Sequence, residues 1–137
     1  MPSTQTNTDK QAIDILFSFL RDIIFLPEKA ELDLALLPSE FQDLGEGMQY
    51  LSKCVLENKK FVSALAKGDF QSDPPSVENI IAAPAKALQG SLRHIAWQMQ
   101  QVAKGDYGQQ INYMGDFAEN FNIMVHQLEE RTSNLMH

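Results

Sequence analysis

The chain has one cysteine, Cys54, so no disulfide can form within it, and a reducing compartment, the cytoplasm, is the expectation. It has no long hydrophobic run. The most apolar stretch, Ala12 to Leu26, carries Asp14, Arg21 and Asp22 and is too short and too charged to span a bilayer. Residues 1–10 are polar with no apolar core behind a basic start, and are not read as a signal peptide. Positive charge is scarce. With 11 Lys and Arg against 18 Asp and Glu the net charge is -7, and the only basic doublet, Lys59-Lys60, follows Glu57, which argues against nucleic acid or an anionic lipid surface as a partner. Three histidines and one cysteine, at positions 54, 94, 126 and 137, have no metal-ligand spacing, and neither a metal nor any other cofactor is expected. Glycines 68, 105, 108 and 115 do not make a phosphate loop, since the spacing is wrong and no strand precedes them. No run of period-two alternation is long enough to be a strand, and no nucleophile, base and acid fall into a constellation. The sequence therefore reads as all-α and non-catalytic.

What the chain does have is heptad spacing, as expected of coiled-coil-like helices in a bundle of about four. A first helix is expected from about Asp9 to Leu26, after a floppy start over 1–8 and stopped by Pro27. Ile13, Phe17, Leu20 and Ile24 step by 4, 3 and 4 in one row, while Leu16, Phe19 and Ile23 make a second, so the helix suits more than one neighbour. Leu32, Leu34, Leu36 and Leu37 suggest one helical turn. Ser39, with Gln42 three positions on, has the pattern of a capping box. From there Leu44, Met48, Leu51, Val55, Asn58, Val62 and Leu65 form a seam of alternating steps of 4 and 3. A single polar residue such as Asn58 in a seam costs stability but fixes register and strand number. A third helix is expected between Ser76 and Lys104, with Leu88, Leu92, Ile95, Met99 and Val102 as its seam. Pro84 lies too deep for it, predicting a kink or a later start, with 77–83 as a separate turn. Asp116, with Glu119, is the expected cap of a last helix whose seam is Phe117, Phe121, Met124, Leu128, Arg131 and Leu135. That pattern meets no terminator before His137, so continuation of the natural chain is expected.

The most specific feature is a repeat. Ala66-Lys67-Gly68-Asp69-Phe70 recurs 37 positions on as Ala103-Lys104-Gly105-Asp106-Tyr107, each time closing a heptad helix ahead of a connector, Gln71 to Ser76 with Pro74-Pro75 in one case and Gly108 to Gly115 in the other. Two such units would share the helix over 77–104, a mechanical coupling between them.

With Ile111 and Phe121-Asn122-Ile123-Met124 beyond the second exit, residues 88–131 resemble a HAMP domain. In that family a first helix ends in Ala-x-Gly-Asp-hydrophobic, a connector carries two buried apolar anchors, and a second helix carries Phe-Asn-x-Met. Gly105, Tyr107, Ile111, Phe121, Asn122 and Met124 take those places, whereas Asn112-Tyr113 stands where the family has an Asp-Glu pair. Residues 48–92 resemble a degenerate copy. The implied division is an N-terminal helical segment 1–40, a degenerate unit 41–92 and a HAMP-like unit 88–137. The tract Leu92 to Gln98 also resembles linkers of bacterial sensor histidine kinases and diguanylate cyclases. The resemblance implies a parallel homodimer relaying conformational change from a sensor to a kinase or cyclase output domain. Gly68, Asp69, Phe70, Asn58, Gly105, Asp106, Tyr107, Ile111, Phe121, Asn122 and Met124 would be its structural and signalling residues.

Two other classes compete. One is a stand-alone helical sensor or adaptor that binds a ligand or a protein through its N-terminal helices. The other is a histidine phosphotransfer bundle centred on His94. There, Ile95-Ala96-Trp97 follows in place of the small residues and lysine such a site needs, which favours His94 as a bystander. Cys54 and the flanking His126 read as a small apolar residue and a solvated side chain.

Overall fold

A computed structural model describes residues 2–135. The protein is all-α, and among the described residues there is no strand. Four helices carry the fold: α1 (Pro2–Phe25), α2 (Gln42–Ala66), α3 (Ala83–Ala103) and α4 (Gly115–Leu135). Single 3-10 turns stand at Leu34–Leu36, Ser39–Phe41 and Ile80–Ala82. Two compact units divide the chain between Lys86 and Ala87, inside α3.

The expected stops hold, and several expected starts do not. The first helix begins at Pro2, not Asp9: proline is tolerated in a first helical turn, and 3–8 contain neither glycine nor a second proline. Ser39 caps nothing. It opens a 3-10 turn, α2 follows Phe41 without a side-chain cap, and the Gln42 side chain turns back to donate to the carbonyls of Leu34 (2.6 Å) and Leu37 (2.9 Å). Nor does Ser76 start the third helix, which begins only at Ala83; Pro84 thus falls in its first turn, where no N–H is missed. Asp116 sits inside the first turn of α4, which starts at Gly115 after Met114, a residue at φ 73°. The seam of the last helix is described through Leu135, and His137 lies outside the described residues.

In the unit up to Lys86, α1 and α2 run parallel. Ala12 and Leu16 of α1 pack with Leu37 and Phe41, which precede α2, and with Met48 in its second turn. Further along, Phe19 lines a groove with Gln49, Ser52 and Leu56. Beyond the end of α1, Glu28 pairs with Lys59 near the end of α2 at 2.7 Å, a hydrogen bond that holds its carboxyl below the usual range. Residues 27–41 therefore return along the pair, and Gln49 donates to the Leu32 carbonyl on the way (2.8 Å).

Gly45 lets that returning segment approach α2. A Cβ there would lie 2.7 Å from Leu37 Cδ1 and 2.8 Å from Leu34 Cδ2. Gly45→Ala is expected to change stability little, since about 1 kcal/mol of helix propensity offsets a small shift of two leucine ends. Gly45→Val is expected to destabilise by about 1–3 kcal/mol through overpacking, read as a fall in the urea midpoint by circular dichroism. Equal midpoints for Val and Ala would refute the close approach.

In the unit from Ala87 on, α3 and α4 are also parallel. Tyr107, just past the end of α3, accepts a hydrogen bond from the Thr132 hydroxyl late in α4 (3.3 Å). Tyr113, just before α4, comes within 6.3 Å of the His94 ring in the middle of α3. The connector again runs back between two helices that point the same way. Its core is Ile95, Val102, Ile111, Ala118, Phe121 and Val125, with Tyr107, Tyr113 and Leu128 against it.

Candidate functional site: helix exits, connectors and the bare seam

The two repeated exits have the same geometry. Gly68 (φ 89°) and Gly105 (φ 100°) occupy the left-handed position after the helix, which a side chain would strain. Gly68 N–H donates to Leu65 O (3.0 Å) and Asp69 N–H to Ala64 O (2.9 Å); Gly105 N–H donates to Val102 O (3.0 Å) and Asp106 N–H to Gln101 O (2.9 Å). These are paired Schellman bonds, and they satisfy the last carbonyls of each helix. The aspartate then turns the chain: Asp69 Oδ1 accepts from Gln71 N–H and Asp106 Oδ1 from Gly108 N–H, both at 3.0 Å. Gln109 Nε2 adds a bond to Asp106 Oδ2 (2.9 Å). Asp69 and Asp106 thus serve backbone turns, each in its own exit. Phe70 and Tyr107, the aromatic closings, are both half-buried.

Beyond the exits, amides pin each connector to a helix. In the second, Ile111 N–H donates to Asn122 Oδ1 (2.9 Å) and Asn122 Nδ2 donates to Ile111 O (2.8 Å), a two-bond clamp of the kind one strand makes with another. Ile111 itself is 2% exposed, so its backbone edge could find little water in place of Asn122. Gln98 Nε2 of α3 donates to Gln110 O (2.9 Å) from the other side. The connector is thereby held between both helices by its neighbouring carbonyls and one N–H. In the first, Asn79, only 2% exposed, donates from Nδ2 to the Cys54 carbonyl of α2 (3.1 Å). One turn earlier the Tyr50 hydroxyl donates to Glu78 O (2.7 Å); a hydrogen bond with the Cys54 side chain pushes that phenol above its usual range. Sequence reasoning missed Asn79, Gln49 and Gln98, and gave Gln42 the role of a capping-box partner where it instead holds the carbonyls of Leu34 and Leu37. Their only signal is an amide at a position a helical face would otherwise fill with an apolar residue.

A single chain buries only part of each heptad seam: Leu65, Ile95, Val102 and Phe121 are covered, and the other seam positions stand open or half-buried. On α3, Gln98 and Val102 face inward while Leu88 and Met99 are exposed; on α4, Ala118, Phe121 and Val125 face inward while Phe117 and Met124 are exposed. On α2, Cys54, Phe61 and Leu65 are buried, whereas Leu44, Leu51 and Val62 are open. Asn58 sits half-buried in that seam, its Oδ1 enclosed without a hydrogen-bond partner in the chain.

Among the described residues, the remaining titratable groups gather into no reactive cluster. His94 is exposed and stacks on Trp97 at 6.0 Å, and His126 meets Glu130 at 3.1 Å on an open face. Among the described residues, no group of three His, Cys, Asp or Glu side chains could hold a metal ion, and no helix is long and apolar enough to cross a membrane. Comparison with protein-family models, curated proteins and solved structures finds no match.

Proposed function

We propose that the chain is a HAMP-like signal-transmission module: a parallel dimer that carries a change in helix packing from a sensor at one end to a kinase or cyclase output at the other. The observation that supports this most is the unit from Ala87 on. There, two parallel helices are clamped to a returning connector through Asn122 and Ile111, while the heptad positions Leu88, Met99, Phe117 and Met124 remain bare. A two-helix unit that hides one flank and exposes a heptad stripe is half of a four-helix bundle, and a second copy supplies the other half. Such a bundle has few ways to repack, so a small rotation of α3 reaches α4 through the shared core.

Light scattering is expected to give twice the 15.4 kDa chain mass at micromolar concentration. Phe117→Glu, which puts a charge into the stripe, is expected to return the mass to that of one chain with its helix content kept. Spliced between a ligand-responsive sensor and a diguanylate cyclase, the chain is expected to make cyclase output follow ligand, and Phe117→Glu to remove that response. A monomer at high concentration, or ligand-blind output where a known relay responds, would defeat the reading.

A further inference from the structure

The bare stripe is not confined to the half of the chain that resembles a known family. On α1 the row Ile13, Phe17, Leu20 and Ile24 is between 39% and 64% exposed, although the adjacent row Ala12, Leu16, Phe19 and Ile23 is buried. Each exposed residue is one step after a buried one, a turn of about 100° around the helix. On α2 the open residues Leu44 and Leu51 come one step before Gly45 and Ser52, which face the returning segment and α1. The two helices are parallel, so a turn of one sense on α1 and of the opposite sense on α2 brings both stripes to the same side of the pair. The other unit has the same relation: Met99 follows inward-facing Gln98 on α3, and Phe117 and Met124 precede inward-facing Ala118 and Val125 on α4.

We infer that α1 and α2 form a second dimer-making unit, whose apolar side docks on the same side of another copy of this chain in parallel register. The inference rests on the dimeric reading above. Two features choose a second copy over an unrelated partner. The α1 row contains no charge, so identical chains, each at -7 overall, meet there without like-charge contact. Asn58, in the α2 seam, keeps an enclosed amide oxygen without a partner. An amide carries both donors and an acceptor, so rotation of Asn58 toward its twin satisfies both, and parallel, in-register docking sets every seam residue, Asn58 included, opposite its twin. The N-terminal helix thus becomes part of the dimer, and signal input at α1 reaches α2 through the same kind of packing as from α3 to α4.

The test uses full-length chains with Cys54→Ser as background and one new cysteine each: Leu20→Cys in the α1 stripe, Phe117→Cys in the α4 stripe and Ser18→Cys on an exposed position outside both. After mild oxidation, Leu20→Cys is expected to run mainly as a disulfide-linked dimer, as is Phe117→Cys, while Ser18→Cys stays a single chain. If Phe117→Cys links and Leu20→Cys does not, the inference falls and the dimeric reading stands. If neither links, the inference falls, and a scattering mass of one chain takes the dimeric reading with it. Linkage between Ile13→Cys and Ile24→Cys chains, in place of self-linkage at Ile13, would mean antiparallel docking and would equally overturn the inference.

Discussion

Phe121→Ala is expected to unfold the part of the chain from Ala87 on, with a loss of about 3–5 kcal/mol, as is usual for a buried phenylalanine truncated to alanine. Phe121 is 5% exposed and lies in the cluster with Ile95 and Val102 of α3, Ile111 of the connector, and Ala118 and Val125 of α4. It therefore joins all three pieces of the unit, and no neighbour can close the cavity without shifting a helix. A unit of about fifty residues has only some 3–8 kcal/mol of stability to lose, so the variant sits near its midpoint at room temperature. The readout is amide exchange: protection in α4 and at Ile111 is expected to disappear while α1 and α2 keep theirs. Ile123→Ala, on the same helix but 53% exposed, is expected to stay within about 0.5 kcal/mol of the parent. Equal loss in both variants would show that Phe121 is not the centre of that core. If the chain is a dimer, the Phe121→Ala deficit shrinks as concentration rises, because association stabilises the folded form.

The exits were the most legible part of the chain, and the reason is local. A Schellman ending favours a glycine at one position, and an aspartate just after it favours the turn that follows, so Gly68-Asp69 and Gly105-Asp106 announce themselves without knowledge of any distant residue. Pro84 was legible for a similar reason: a proline is compatible with a helix only in its first turn, and the helix starts accordingly. The caps were less so. Ser39 and Asp116 have the right chemistry, yet the starts of α2 and α4 are set by where the connectors meet a core, through Leu37 in one unit and Ile111 in the other. A side-chain cap contributes only about 1 kcal/mol and yields to that packing.

The seams were legible as a period, but the period does not say which partner each row meets. On α1 the sequence shows two adjacent apolar rows, and only the fold decides that Leu16, Phe19 and Ile23 pack within the chain while Ile13, Phe17 and Leu20 do not. The connector anchors were hidden for a different reason. Gln42, Gln49, Asn79 and Gln98 bond to carbonyls between 5 and 25 positions away, and those carbonyls become available only once an irregular segment has folded back. Composition and periodicity carry no trace of such pairs. Asn122 was identified only because its neighbourhood resembles a family, and the structure supplies what the resemblance leaves open, a physical job for that amide.

That job sets the last expected result. Asn122→Leu removes both bonds of the clamp and leaves the Ile111 N–H and C=O unpaired at a residue 2% exposed, where each orphaned group costs about 1–3 kcal/mol. A loss of about 2–4 kcal/mol is expected, since some water reaches the half-buried edge of Asn122. Asn122→Asp separates the two bonds. Its carboxylate can still accept from Ile111 N–H, but the other oxygen then faces the Ile111 carbonyl with no proton between them. Repulsion disfavours the charged form in the folded state, so the folded pKa of the new carboxyl rises above its unfolded value. The folded state of this variant then holds the proton more tightly, and its stability falls as pH rises through the unfolded and then the folded pKa. At acid pH the protonated carboxyl can donate to Ile111 O and restore both bonds. Urea denaturation of the parent, Asn122→Leu and Asn122→Asp across the carboxylate range separates the cases: the Asp variant is expected to approach the parent in acid and the Leu variant at neutral pH. A gap between Asp and parent that does not change with pH would mean that Asn122 does not clamp Ile111 through both ends of its amide.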